Sequence, residues 1–600
     1  AMSPRVLNSG VRTGAVLALV TLAGILAGCV NQISATQPAA PTVYFDPHNH
    51  LSGVLPWQAY ADLPAYIRKL EGHGDGVSDA DERALYAWLD ETWYPAHRAD
   101  LDDKPFATDQ RYALGARATL ELYPPQTDDS AQIAGALERI LTATPYTEFD
   151  SSYAFRGGPV FKWQSANDYH GNTTALNEDL CTADVLQLAR TRIADSEQSI
   201  SFVGGWGLDA SGDSWRLDNI LCAARKPQEL APVFSRLGEP MPRVRIILMT
   251  LTYQLGENQA GDAYSSFEHT GVCHEVPLAA SLKLSPDTMY HALLGEDGDG
   301  KRIVPDASLD EFFATVAGID TAGPEITCFS RDGMDYYRNL VAAVYRAAKA
   351  RRAMGWNGKL LVHTHVGEGF TTYYAKQPPA EPWTFDNVFA ELPVLAGNDI
   401  TNAQAPQDNI SMLLAAIAEV EADYPDIADY VVFRLGHVTH ATAEQAQTMA
   451  NEQVEADVNL DSNLATGAWS FAQMPDQAAI VSRVEAAAAD PNTNFALNDL
   501  PGLLIPDPDS ATEVAGVLGN VSLKYLLMAH VRVMLGTDAA GVEHSSMPRE
   551  YALAASLIRY WKTSDAAFRK KAGDSSAQTF FDNAAWHLRN MASNGLLPYR

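Results

Sequence analysis

Two histidines one residue apart, His48 and His50, close a short apolar run at 42–45, within Asp46-Pro47-His48-Asn49-His50-Leu51-Ser52-Gly53. In an extended strand, residues i and i+2 point to the same face, so both imidazoles project together. Two nitrogen donors on one face are a natural start for a zinc site. An H-x-H pair is a weak signal alone. It gains force because other apolar runs also end in polar clusters. These are Gly318-Ile319-Asp320-Thr321-Ala322-Gly323-Pro324-Glu325, His363-Thr364-His365-Val366-Gly367-Glu368-Gly369, Arg434-Leu435-Gly436-His437 and Gly536-Thr537-Asp538.

A third nitrogen can come from His365 or from His363, which sits two residues before it, and an oxygen from Asp538. Three nitrogens, one carboxylate and a position left for water suit a catalytic Zn²⁺. Such an ion lowers the pKa of its water towards neutrality. Glu368 and His437 remain as proton carriers beside it. A two-metal site needs a bridging group, often a Lys or Glu on the fourth strand, and the run there, FFATVAGIDTAG, has no Lys. One metal per chain is the expectation.

Something must bring these distant segments together. Short apolar runs recur at 42–45, 199–203, 244–251, 313–319, 359–362, 430–435, 456–460 and 530–535, with Ala- and Leu-rich helical stretches between them. Strand alternating with helix implies parallel strands joined by crossover helices. Eight such strands close a (β/α)₈ TIM barrel, an α/β fold that accepts long loop insertions and places its chemistry where strands end. The long connections are 51–198, 252–312, 371–429 and 464–529.

The clusters H-N-H-L-S-G, G-I-D-T-A-G-P-E, H-V-G-E, R-L-G-H and L-G-T-D resemble, in the same order, those of the adenosine deaminase family of metal-dependent amidohydrolases. They span residues 42 to about 545. The resemblance implies that His48, His50, His365 and Asp538 bind one zinc ion. It selects His365 over His363, because the family's third histidine precedes x-G-E. It further implies that Glu368 protonates a purine ring nitrogen, that His437 assists the attacking water, and that the Gly323 backbone N–H and Ser52 meet the substrate. A helical excursion after the first strand would occupy 54–150. Three positions depart from the family's pattern. Ala539 stands where the family has a second Asp, which bonds the purine five-membered ring. Ser52 replaces an acidic or amide residue. Asn459-Leu460-Asp461-Ser462-Asn463 replaces Cys-Pro-x-Ser-Asn.

The first 28 residues are a different material. Arg5 and Arg12 precede an apolar stretch that ends in Leu26-Ala27-Gly28-Cys29. That is the layout of a secretory signal peptide, and the apolar stretch is shorter than the roughly 20 residues a membrane span needs. The ending resembles the lipobox of bacterial lipoproteins, which implies lipidation at Cys29 and an address on the cell envelope. Val30 and Asn31 point to the outer membrane. Residues 29–41 read as a flexible tether and 42–600 as the barrel. Cys181, Cys222, Cys273 and Cys328 are even in number, which permits two disulfides in any of three pairings or leaves buried thiols. The formal charge is −31 with no basic run, so a nucleic acid polymer is excluded as partner.

The expected function is therefore zinc-dependent hydrolytic deamination of an adenosine-like or other aminated heterocyclic small molecule, by metal-activated hydroxide. Two readings compete with it. One keeps the metal but hydrolyses another C–N or ester bond in a non-purine substrate, and Ala539 favours it. The other is a non-catalytic binding lipoprotein, which would have no need of four ligands and two proton carriers.

Overall fold

The computed structural model describes residues 43–50, 181, 184–189, 191–208, 214–237, 239–258, 260–266, 273–277, 284–323, 327–368, 404–465, 508–519, 521–540 and 545–591. The expected signal segment, Cys29, the whole tether, Ser52 and the excursion after the first strand lie outside these residues. No helix among them is long and apolar enough to cross a membrane.

Eight parallel strands carry the fold: β1 Tyr44–His50, β2 Ile193–Ser201, β3 Arg243–Leu251, β4 Val316–Ala322, β5 Leu360–Val366, β6 Val431–His437, β7 Glu455–Val458 and β8 Val533–Leu535. They are hydrogen-bonded in that order. Closure comes from a parallel bridge between Asn49 and Asp538, in which the Asp538 N–H donates to His48 O at 2.8 Å and the His50 N–H to Asp538 O at 3.1 Å. The expected (β/α)₈ barrel is the fold observed.

All eight expected strands exist, with corrected bounds. Residues 313–315 belong to the helix Leu309–Thr315, and β4 starts at Val316. Leu460 opens a helix, Leu460–Ala465. Both histidine pairs lie within strands, not after them. β2 begins at Ile193, six residues before the expected start at 199. Inside the long 252–312 connection, Ala263–Ser266 pairs antiparallel with His274–Pro277, which the alternation of runs did not foretell. The four cysteines form two disulfides, Cys181–Cys222 and Cys273–Cys328.

Helices cover the outside of the barrel, and the longest described, Arg331–Ala353, buries Tyr337, Leu340, Val341 and Val344. The Ser330 hydroxyl caps its start by accepting from the Gly333 N–H. The helix Ala577–Met591 lies under the strands' N-terminal ends. There Met591 packs with Ile247, Ala317, Leu361 and Val432, and Ala584 and Leu588 pack with Phe45 and Met534. The opposite, C-terminal end holds the histidines.

Candidate metal centre

β1 delivers His48 and His50, β5 delivers His363 and His365, β6 ends on His437, and Asp538 follows β8. One donor atom from each of His48, His365, His437 and Asp538 lies within 4.8 Å of the other three, and all four residues are buried. His50 reaches the same place, with Nε2 3.2 Å from Asp538 Oδ1. The barrel thus gathers every sequence-predicted metal residue, and it adds His437 to the donors.

Carboxylates set which ring nitrogen faces the centre. His48 Nδ1 lies 2.6 Å from Asp457 Oδ1, and His365 Nδ1 lies 3.1 Å from Asp320 Oδ1. A carboxylate can only accept, so each Nδ1 carries a proton, and each ring in its neutral form presents a lone pair at Nε2. His437 Nδ1 is held 2.9 Å from Asn463 Oδ1. The Nε2 atoms of His48, His365 and His437 are buried without any hydrogen-bond partner. Three orphaned imidazole nitrogens beside one carboxylate are costly in a protein that binds nothing there. They fit the donor set of a divalent metal such as zinc.

His363 plays a different part. Its Nε2 lies 2.9 Å from Asp457 Oδ2 and its Nδ1 2.9 Å from Asp320 Oδ1, so it joins the two carboxylates that orient His48 and His365. Spacing alone left His363 and His365 as alternatives. In the structure His365 belongs to the four-donor group with His48, His437 and Asp538, while His363 lies outside it, bonded through Nε2 to Asp457 and with Nδ1 2.9 Å from Asp320. The Asp320 carboxylate also accepts from the Ser199 hydroxyl.

Electrostatics follow the same pairs. Burial favours the neutral acid, yet the facing histidines hold Asp320, Asp457 and Asp538 well below the usual carboxylate range. Burial opposes a charge on His48, but Asp457 and Asp538 raise its pKa well above the ordinary value. Burial, with the His48 charge adding to it, pushes His437 well down; burial also brings His365 to about 4.

Two of the site's residues have backbones in the left-handed region, His437 at φ 62° and Asp538 at φ 60°. That conformation costs about 1–3 kcal/mol for a residue with a side chain, and such strain concentrates at functional sites. Beside them Gly436 has no room for a side chain, since a Cβ there would fall 2.8 Å from His363 Nε2. The short helix Leu460–Ala465 is pinned at its start by Glu550, whose carboxylate accepts from the Leu460 and Asp461 N–H groups at 2.8 Å. That places the Ser462 hydroxyl 2.6 Å from Asp538 Oδ2 and brings Asn463 to His437.

Glu368 is buried, with Oε2 3.4 Å from His437 Nε2, so the two expected proton carriers adjoin. Gly323 follows β4 at φ 118°, open to a glycine alone. Ala539 is fully buried and offers no polar side-chain atom. The sequence reading gave no role to Asp320, Asp457, Ser462 or Arg434. For Asp320, Asp457 and Arg434 the signal was a polar residue inside an otherwise apolar run; Ser462, in Asn459-Leu460-Asp461-Ser462-Asn463, had none.

No protein-family model and no curated protein matches the chain. Among solved structures, it is similar to an N6-mAMP deaminase from Arabidopsis, at 11% identity and TM-score 0.38, over 91% of this chain and 97% of that one. An adenine deaminase from Arthrobacter aurescens aligns at 14% identity and TM-score 0.30, over 91% and 99%. A triazine hydrolase variant aligns at 13% identity and TM-score 0.34, over 76% and 67%. Likenesses this slight carry no weight for function, which rests on the site's own geometry.

Proposed function

We propose that this chain is a zinc-dependent hydrolytic deaminase of an adenosine-like or other aminated heterocyclic small molecule. The observation that carries the reading is the convergence of three unpartnered Nε2 atoms, from His48, His365 and His437, on the Asp538 carboxylate. His48, His50, His365 and Asp538 would hold one metal ion. When bound, the metal would supply a water molecule acidified towards neutral pH. Asp457 and Asp320 keep His48 and His365 in the tautomer that faces it. As the water oxygen bonds to the carbon that bears the amine, His437 Nε2 takes up a proton from the water and Glu368 gives one to the ring nitrogen; the C–N bond then breaks, with the His437 proton passing to the departing ammonia and the new hydroxyl's proton returning to Glu368. Both groups are buried, so bulk water does not compete for the proton at Glu368 Oε2. Gly323 would offer its N–H to the heterocycle, and Ser52 would meet the rest of the substrate.

A second reading, hydrolysis of another C–N or ester bond, is favoured by Ala539. A purine nitrogen left without its partner there costs about 1–3 kcal/mol. For location, we propose an exported bacterial lipoprotein anchored through Cys29, with an outer-membrane address. The two disulfides support an oxidising compartment.

One set of assays tests these readings. Purified protein, assayed for bound metal, is incubated with aminopurines, nucleosides and amides while ammonia is followed. Glu368→Gln should slow turnover by about 10²–10⁴-fold at unchanged metal content. Turnover indifferent to that change would sink the deaminase mechanism, and cleavage of amides or esters without any aminopurine would select the second reading. Mass spectrometry of the membrane fraction should find an acylated Cys29; a retained signal segment would refute the anchor.

A further inference from the structure

At the end of the barrel opposite the histidines, the starts of β3, β4 and β5 surround a cavity of about 240 Å³. Its lining has an unexpected sign. Arg243, Arg245, Arg351 and Lys359 all contribute, and among the described residues no Asp or Glu does, in a chain whose formal charge is −31. Charged side chains are seldom fully buried unless a counter-charge accompanies them. Arg245 meets that condition through Asp195 at 3.2 Å, and Arg243 approaches the same carboxylate at 3.8 Å.

Arg351 does not. It is 4% exposed, and its guanidinium donates only to backbone carbonyls: Nε and Nη2 to Leu293 O at 2.9 and 2.6 Å, and Nη1 to Val316 O at 2.8 Å. No carboxylate among the described residues pairs with it. Burial brings its pKa down to about 9, the direction expected of a cation lacking a counter-ion. Three bonds leave N–H capacity over on a group with five donors. Lys359, half-buried on the same wall, has no ion pair among the described residues either, and burial lowers its pKa. Around these cations stand apolar surfaces, among them Trp356 and the exposed Met241.

We propose that this floor cavity binds a small organic anion, a carboxylate or phosphate group on a flat apolar body. The charged end supplies the counter-ion that Arg351 and Lys359 lack, and the body lies against Trp356 and Met241. The site is separate from the metal centre and does not depend on the deaminase reading.

Calorimetric titration of the full chain with 2-naphthoate tests it, beside 2-naphthylmethanol and inorganic phosphate. The naphthoate should saturate one site per chain, at least about tenfold more tightly than the neutral alcohol or the phosphate, a difference of about 1.4 kcal/mol. Lys359→Gln and Trp356→Ala, both at partly exposed positions that the fold should tolerate, should each weaken it about tenfold. His48→Ala should leave it unchanged. Absence of saturable binding, equal binding of the alcohol, or indifference to both cavity substitutions would overturn the proposal. So would loss of binding in His48→Ala, which would place the anion at the metal centre.

Discussion

The two ends of the barrel interior are built from the same materials and finished differently. Both bury histidines and carboxylates at almost zero exposure. Towards the floor, the cations inside the barrel touch carboxylates: Arg434 meets Glu197 at 2.7 Å and Asp457 at 2.9 Å, and His587 meets Glu455 at 2.7 Å and Glu197 at 3.0 Å. At the C-terminal end, the Nε2 atoms of His48, His365 and His437 make no hydrogen bond, with carboxylate oxygens of Asp538 and Glu368 standing 3.5 Å from His48 and 3.4 Å from His437. Buried polarity alone therefore does not mark a site here, because the floor is as polar as the mouth. What separates them is pairing and convergence: the floor cations Arg434 and His587 each lie against carboxylates, whereas the unbonded imidazole nitrogens of the mouth share one focus, and such convergence specifies a ligand. By the same criterion, Arg351 is the exception beside the floor.

Substitutions at the two ends should thus separate function from stability. His48→Ala should abolish metal binding and turnover while leaving the melting temperature of the metal-free protein within a few degrees. His587→Ala should do the reverse, costing about 3–5 kcal/mol of stability because two buried carboxylates lose their cation. Metal analysis and thermal unfolding of both variants check this. A His587→Ala protein of unchanged stability, or a His48→Ala protein that keeps its metal, would erase the distinction.

Asp457 sharpens the comparison because it belongs to both ends, with one oxygen on His48 and the other near His363 and Arg434. Asp457→Asn should weaken metal binding by about 10–100-fold, the usual effect of losing a partner that orients a ligand. An affinity unchanged in a competition titration against a chelator would show that His48 needs no orientation from below.

The same polarity explains what could be read in the sequence. His48, His50, Asp538 and the alternation of strand and helix were legible, because period-2 spacing and apolar runs are local signals. The first six residues of β2 were not. They read Ile193-Ala194-Asp195-Ser196-Glu197-Gln198, polar like a loop, and yet all but Ala194 are buried: Asp195 and Glu197 share one face with the Arg245 guanidinium, and Gln198, on the other, donates to Asp184. Hydropathy cannot find a strand whose inner face is made of ions. The choice of His365 over His363 was hidden from spacing, since both lie on one face of β5. The carboxylates that tell them apart, Asp320 and Asp457, come from β4 and β7 and converge only in the folded barrel.

The smallest effect expected is a drift of stability with pH, and it tests whether the floor is held by charge. Burial alone would lower the His587 pKa, but Glu455 and Glu197 outweigh it and raise the value from 6.5 to about 9. A group whose folded pKa is raised binds its proton more tightly in the native state. Its contribution is complete below about pH 6.5 and disappears as pH climbs through about 9, with a slope of at most about 1.4 kcal/mol per pH unit. Glu197 has the opposite sense: burial raises its pKa, His587 and Arg434 lower it further, and its contribution is lost only in acid. Asp195, which burial pushes up to about 6, loses stability as it ionises, but that change is over before the alkaline window opens. Arg351 and Lys359, lowered by burial, titrate alike in the parent and in a His587 variant, so between pH 6.5 and 9 the difference between the two belongs to His587. Melting temperatures of the parent protein should fall across that interval more than those of His587→Gln, whose amide does not titrate. Parallel curves for the two proteins would mean that His587 is neutral in the fold, and that hydrogen bonding rather than charge closes the barrel floor.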